Sequence, residues 1–219
     1  MLIIFDLDDT LIDTSGSILP FKLKECLKQL VARGLAVGDF EAAYEELVWA
    51  NTRAGRSEDT LVAFVKKFGK DDAFASGVLD ELTKPLPSNF SVATTPYAKE
   101  ILECLKTTHT LSLVTGGYAP FQMEKLEKAG IDRSIFSKIA VSENSIKKPF
   151  YEDLIQEFST LPQEAVVCGD RVQIDLEPAR ELGMKTVHMR WGRGRQVPKE
   201  DWMDAQIENL RELQGILLR

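Results

Sequence analysis

Histidine and cysteine are scarce in this chain: two histidines and three cysteines in 219 residues. His109 and His188 stand far apart, with no second histidine at ligand spacing, so both read as structural and no histidine-based metal site is expected. Cys26, Cys104 and Cys168 are odd in number, and each falls inside an apolar periodic segment. They read as reduced core residues of an intracellular protein, not as a disulfide framework. No stretch approaches the roughly 20 apolar residues that a membrane span needs, and the apolar opening run is short and has no basic leader. No membrane partner is expected, and the cytoplasm is the expected location. Positive charge is not in excess either. A formal net charge of -7 argues against a broad surface for a nucleic acid polymer. A small phosphorylated ligand needs only one locally positive pocket and stays open. Repeats and low-complexity segments are absent. What is present is ordinary for a globular chain, 44% apolar and 28% charged, and long enough for one generous domain or a core with a satellite.

The texture changes along the chain. Between about residues 16 and 90 every periodic segment is helical. Leu23, Cys26, Leu27, Leu30 and Val31 share one face before Gly34; Phe40, Tyr44, Leu47 and Val48 repeat the pattern, as do Leu61, Phe64, Val65 and Phe68 before Gly69. A further helix is predicted from about Asp71 to Leu82, ended by Pro85 and Pro87. Beyond residue 92 short β-branched runs alternate with helices. Thr95-Pro96 reads as a helix cap and first turn, "TLSLVT", "KIAVS", "AVVCGD" and "KTVHM" as strands, and the tail from Ile207 as a last helix. That alternation predicts an α/β fold: a Rossmann-like parallel sheet with helices on both faces. The strand at residues 2–5 belongs to the same sheet. The expected organisation is a discontinuous core, residues 1–15 and 91–219, interrupted by an all-helical domain at 16–90.

In open parallel sheets ligands bind beyond the carboxyl ends of the strands, and there the polar residues of this chain collect. Asp6 and Asp8 follow the first strand and Thr115-Gly116-Gly117 the next. Lys148 comes soon after the third, and Asp170 with Asp175 follows the fourth. Each piece has an ordinary account of its own: a turn, a helix cap, a solvated lysine. Their convergence on one rim does not. Clustered carboxylates beside a buried strand repel one another and are costly to desolvate, so a cation is expected among them. An all-oxygen donor set with open positions suits Mg²⁺. Asp9, next to Asp8, is expected to face away and serve a structural purpose.

These stretches resemble the motifs of the haloacid dehalogenase-like hydrolase superfamily. "FDLDDTL" matches its DxDxT motif, "LVTGG" its second motif, "KKPF" its lysine motif and "GDRVQID" its acidic motif, in order and across essentially the whole chain. The helical block is similar to that superfamily's class I cap. The resemblance implies a Mg²⁺-dependent phosphatase acting on a small phosphorylated metabolite through an aspartyl-phosphate. It implies Asp6 as nucleophile, Asp8 as general acid and base with a raised pKa, and Thr115, Lys148 and the backbone amides of Leu7 and Gly116 around the phosphoryl group. Metal ligation would fall to Asp6, Asp170 and the Asp8 carbonyl, with Asp175 holding the metal's waters or orienting Lys148. A phosphomutase, another phosphoryl transfer on the same scaffold, or a binding protein without catalysis are the alternatives. Substrate selection is expected from the helical block, where Trp49, Asn51, Arg53 and Arg56 mix an aromatic with polar and cationic groups, and from Tyr118 beside the second motif. Each of these also has a packing or solvation account. "MRWGRGR", residues 189–195, reads as a solvated basic loop or a rim that draws in anions, and Arg171 as the partner of a local carboxylate. Oligomeric state is open.

Overall fold

A computed structural model describes residues 1–217; the last two residues of the expected core lie outside it. The chain divides into two compact units, Met1–Thr14 with Pro87–Arg219, and Ser15–Leu86. In chain order β1 (Leu2–Phe5) is followed by α1 (Leu19–Ala32), α2 (Phe40–Asn51), α3 (Ser57–Lys67) and α4 (Asp72–Leu79). Then come α5 (Ala98–Leu105), β2 (Thr110–Gly116), α6 (Ala119–Lys128), β3 (Lys138–Ser142) and α7 (Lys148–Glu157). The chain ends with β4 (Ala165–Gly169), α8 (Glu177–Glu181), β5 (Lys185–Met189), β6 (Ala205–Ile207) and α9 (Leu213–Leu217).

The six strands form one parallel sheet in the order β3-β2-β1-β4-β5-β6. All four residues of β1 are buried, as a strand covered on both faces requires. One face packs Leu2, Ile4, Val114 and Val167 against Tyr151, Leu154, Leu176 and Ala179. Because β1 lies between β2 and β4, Phe5 is level with both Leu113 and Cys168. The residues that leave these three strands therefore emerge side by side, although they are far apart in the sequence.

The unit Ser15–Leu86 is helical throughout. Asp39 caps α2 by accepting from the Ala42 amide at 2.7 Å, and Asp71 caps α4 from the Phe74 amide at 2.9 Å. Leu23, Leu27, Leu30, Leu47, Leu61, Phe64 and Val65 form its core, each contributing about 1.5–3 kcal/mol of burial.

Four expectations need correction. Thr95 is not a helix cap: α5 starts at Ala98, after a left-handed Tyr97 with φ of 66°. The Thr95 hydroxyl instead donates to the Thr10 carbonyl at 2.6 Å, tying down the loop after β1. The tail from Ile207 is not one helix, because Ala205–Ile207 completes the sheet as β6. Cys26 and Cys168 are buried, but Cys104 is exposed. Val31 likewise turns outward from the face it was predicted to share. Among the described residues no helix is long and apolar enough to cross a membrane.

Candidate active site

Asp6 is the first residue beyond β1, and its amide donates to the Cys168 carbonyl of β4 at 3.0 Å. Across that junction Asp170 follows β4, and a widened turn over Val172–Leu176 brings Asp175 back toward it. The Arg171 amide donates to Asp175 Oδ2 at 2.9 Å and fixes the turn. Gly169 is required here. A Cβ at that position would lie 2.5 Å from the Asp175 side chain, well inside contact distance. As a result one oxygen from each of Asp6, Asp170 and Asp175 lies within 4.8 Å of the others, and all three residues are buried.

Lys147 is in direct contact with this trio. Its ammonium donates to Asp6 Oδ1 at 2.5 Å and to Asp175 Oδ1 at 2.6 Å, and its side chain is 2% exposed. Burial opposes its charge, yet Asp175 and Asp6 outweigh burial and hold the ammonium above its usual range. The expectation for Lys148 is corrected. Lys148 opens α7 on the solvent side and pairs with Glu181 at 2.7 Å, so Lys147 takes the place facing Asp6. The two residues are neighbours in the sequence, and the start of α7 sends their side chains in opposite directions.

Electrostatics show what the trio lacks. Burial pushes the Asp6 carboxyl up to about 7 in spite of Lys147, with Asp175 and Asp8 adding to the rise. Asp170 is raised well above the carboxylate range by burial and by Asp9, Asp175 and Asp6. Three buried carboxylates close enough to raise one another's pKa, each offering an oxygen donor, fit a hard divalent cation such as Mg²⁺. Asp6, Asp170 and Asp175 are the residues able to hold it.

Asp8 behaves differently. It emerges beside the trio, but its carboxylate is held from the other side by α6. Lys125 donates to Oδ1 at 2.8 Å and to Oδ2 at 3.0 Å, Gln122 donates to Oδ2 at 2.8 Å, and the Thr14 hydroxyl also donates to Oδ1. Burial works to raise its pKa, but the Lys125 charge and these hydrogen bonds outweigh it and leave Asp8 below the ordinary range. The expected upward shift is thus reversed. Thr115 is buried at the end of β2, and its hydroxyl accepts from Gln122 at 2.6 Å. Gly116 follows it in register with Ser142 of β3. Leu7 is buried between Asp6 and Asp8, and its carbonyl caps the turn that follows.

Asn51 is buried inside the helical unit and accepts from the Thr60 hydroxyl at 3.1 Å. Trp49 is exposed, with the Arg53 guanidinium stacked 3.9 Å from its ring centroid, and Arg56 pairs with Glu58 at 3.3 Å. Tyr118 is exposed at the start of α6. Asp9 is buried against Gly192 with φ of 55° and lies outside the trio. Residues 191–195 do not form a free solvated loop: Gly194 is buried against the Asp170 carbonyl, and Trp191 donates to Asp13 at 2.8 Å. His188 also supports this junction. Gln206 donates to its Nδ1 at 2.9 Å, which leaves Nε2–H to donate to the Asp170 carbonyl at 3.1 Å.

Lys147, Gln122 and Lys125 were missed from sequence. The signal for Lys147 was present in "KKPF", where either lysine was eligible. Gln122 and Lys125 sit three apart on a helix whose apolar pattern predicted nothing about them.

A family model described as "Hydrolase: haloacid dehalogenase-like hydrolase" matches residues 1–183. The chain belongs to that family. Within its relatives it is 30% identical to a glyceraldehyde 3-phosphate phosphatase of Methanocaldococcus jannaschii, over 98% of this chain and 96% of the relative. It is 28% identical to the protein of that name from Pyrococcus furiosus, over 99% and 92%. Among solved structures it is similar to the HAD-hydrolase YfnB of Bacillus subtilis bound to magnesium. That likeness has a TM-score of 0.67 and 19% identity, over 100% of this chain and 98% of the other.

Proposed function

We propose that this haloacid dehalogenase-like hydrolase is a Mg²⁺-dependent, cytoplasmic phosphatase that hydrolyses a small phosphorylated metabolite through an aspartyl-phosphate on Asp6. The observation that carries the reading is the meeting of Asp6, Asp170 and Asp175 within 4.8 Å, buried, with Lys147 bound to two of them. A triose phosphate is the first substrate to assign, because two relatives matched over nearly their whole length are glyceraldehyde 3-phosphate phosphatases.

Two anions must meet for the reaction to begin, the Asp6 carboxylate and the phosphate ester. When bound at the trio, Mg²⁺ supplies charge neutralisation and polarises the phosphoryl group. Lys147 keeps Asp6 oriented and ionised, and the Thr115 hydroxyl with the Leu7 and Gly116 amides cradles the phosphoryl oxygens. Asp6 Oδ bonds to phosphorus as the ester P–O bond breaks, and the departing oxygen takes a proton from Asp8, which picks that proton up from solvent when the ester's negative charge arrives beside it and offsets Lys125. A water then attacks phosphorus and passes its proton to Asp8 as the Asp6 O–P bond breaks. Inorganic phosphate and the free Asp6 carboxylate result. Discrimination between leaving groups is assigned to Trp49, Arg53, Arg56 and Tyr118.

A panel of phosphate esters that includes glyceraldehyde 3-phosphate, assayed with Mg²⁺ and with a chelator, tests this. Phosphate release is expected only with the metal, and Asp6→Asn is expected to abolish it while the far-ultraviolet spectrum is unchanged. Full turnover in chelator, or by Asp6→Asn, would overturn the reading.

A further inference from the structure

Helix α6 carries a puzzle that the nucleophile and the metal trio leave unexplained. Gln122 and Lys125, three residues apart on a face that also holds Phe121 and Leu126, are 1% and 6% exposed. An amide and an ammonium are costly to bury unless their donors are satisfied. Here the hydrogen-bond partners of both side chains belong to the rim. The Lys125 ammonium donates to both Asp8 oxygens, at 2.8 and 3.0 Å, and lies 4.8 Å from the centroid of the Phe121 ring. Gln122 Nε2 lies 2.8 Å from Asp8 Oδ2, 2.6 Å from Thr115 Oγ1 and 2.9 Å from the Gly116 carbonyl. One amide thus joins the carboxylate after β1 to the hydroxyl and carbonyl that end β2. Meanwhile Asp8 stays outside the group of three carboxylates that a cation would draw together.

We infer that Gln122 and Lys125 are positioning residues for Asp8. They hold its carboxylate away from the metal trio and register it against Thr115, so that it serves proton transfer to the leaving oxygen and does not become a further metal ligand. This rests on the proposed phosphatase reading and adds to it the device that separates the two neighbouring aspartates by function. With the Thr14 hydroxyl counted, each Asp8 oxygen accepts from two donors, so the clamp fixes direction and the Thr14 hydroxyl, the one donor outside α6, is the group that turns away when a proton is held there. A carboxyl group misplaced by an ångström loses most of what orientation contributes.

The test compares kcat/KM on two esters. Glyceraldehyde 3-phosphate leaves as an alkoxide and needs a proton, whereas p-nitrophenyl phosphate leaves as a stable phenolate and does not. Lys125→Met keeps the length of the stem without its charge, and Gln122→Leu keeps the packed volume. Each is expected to lower kcat/KM for the alkyl ester by about 10²-fold, the scale of general acid catalysis, and for the aryl ester by no more than about 3-fold. In an Asp8→Asn background Lys125→Met should cost nothing further on the alkyl ester, since the group it positions is gone. Lys125→Arg should recover part of the loss. Equal losses on both esters, or none on either, would overturn the clamp while leaving Asp6 and Mg²⁺ dependence standing. A wild-type protein inert on both esters would overturn the clamp together with the reading beneath it. Should Lys125→Met fail to fold, the same selective loss in Gln122→Leu decides the matter.

Discussion

Lys147 and Lys148 stand side by side, and the chain uses them oppositely. Lys147 is sealed between Asp6 and Asp175, whereas Lys148 pairs with Glu181 at the surface. Removing one partner of a buried pair costs about 3–5 kcal/mol because the remaining charge is stranded, while an exposed pair, screened by solvent, contributes little. Lys147→Ala should therefore unfold in clearly less denaturant and lose about 10²–10³-fold in kcat, the effect of deleting one preorganised electrostatic group. Lys148→Ala should unfold at the parent's denaturant concentration with its kinetics unchanged. Parallel chemical denaturation and ester hydrolysis on the two variants check this; a severe loss in Lys148→Ala with a mild one in Lys147→Ala would reverse the assignment. The residue scale is also where sequence reading ran out. Asp6, Asp170 and Asp175 were legible because strand ends place them on one rim whatever the details. Which lysine of "KKPF" turns inward depends on the first turn of α7, and nothing in two identical adjacent residues encodes it.

At the scale of elements, alternation of short apolar runs with helices was enough to read the parallel sheet, because strands covered on both faces must be apolar throughout. Features that depend on a single local geometry were not readable. Three-residue β6 leaves too short a pattern for period-based reasoning. Thr95 resembles a helix cap in sequence, but its hydroxyl finds the Thr10 carbonyl instead. Gln122 and Lys125 looked like any polar residues of a helix, since only tertiary contact reveals what they face. The segment after β5 is the clearest case. Read as a basic loop, it packs Gly194 so tightly that a Cβ there would overlap the Asp170 carbonyl and lie 2.9 Å from His188 Nε2. Backbone on that side of the contact cannot yield as a flexible side chain would. Gly194→Ala should thus push Asp170 out of place, costing about 1–3 kcal/mol as an overpacked site and raising the Mg²⁺ concentration needed for half-maximal activity. Metal titration of the variant checks this, and an unchanged metal requirement would show that the loop does not hold Asp170.

For the whole molecule, the trio couples acidity, metal and stability. Asp6 is pushed up to about 7 and Asp170 is raised as well, both chiefly by burial. A carboxyl whose folded pKa exceeds its unfolded value favours the native state while protonated. Its contribution is complete below about pH 4, the ordinary carboxylate range, and is lost as pH climbs through the folded value near 7 for Asp6. Ion-free protein therefore loses this contribution between those limits. A divalent cation offsets the same repulsion but must displace the same protons, so its affinity rises over the window in which the ion-free chain weakens. Mg²⁺ at about 100 times its Kd stabilises by roughly 2.7 kcal/mol, worth about 2–4 °C in Tm per kcal/mol for chains of this size. The increase in Tm on adding Mg²⁺ is expected to be larger at pH 8 than at pH 5, and to vanish in Asp170→Asn. Because the comparison is between samples with and without metal at each pH, other titrating groups largely cancel. Thermal melts that give the same increase at both pH values, or an undiminished one in Asp170→Asn, would separate the acidic trio from the cation assigned to it.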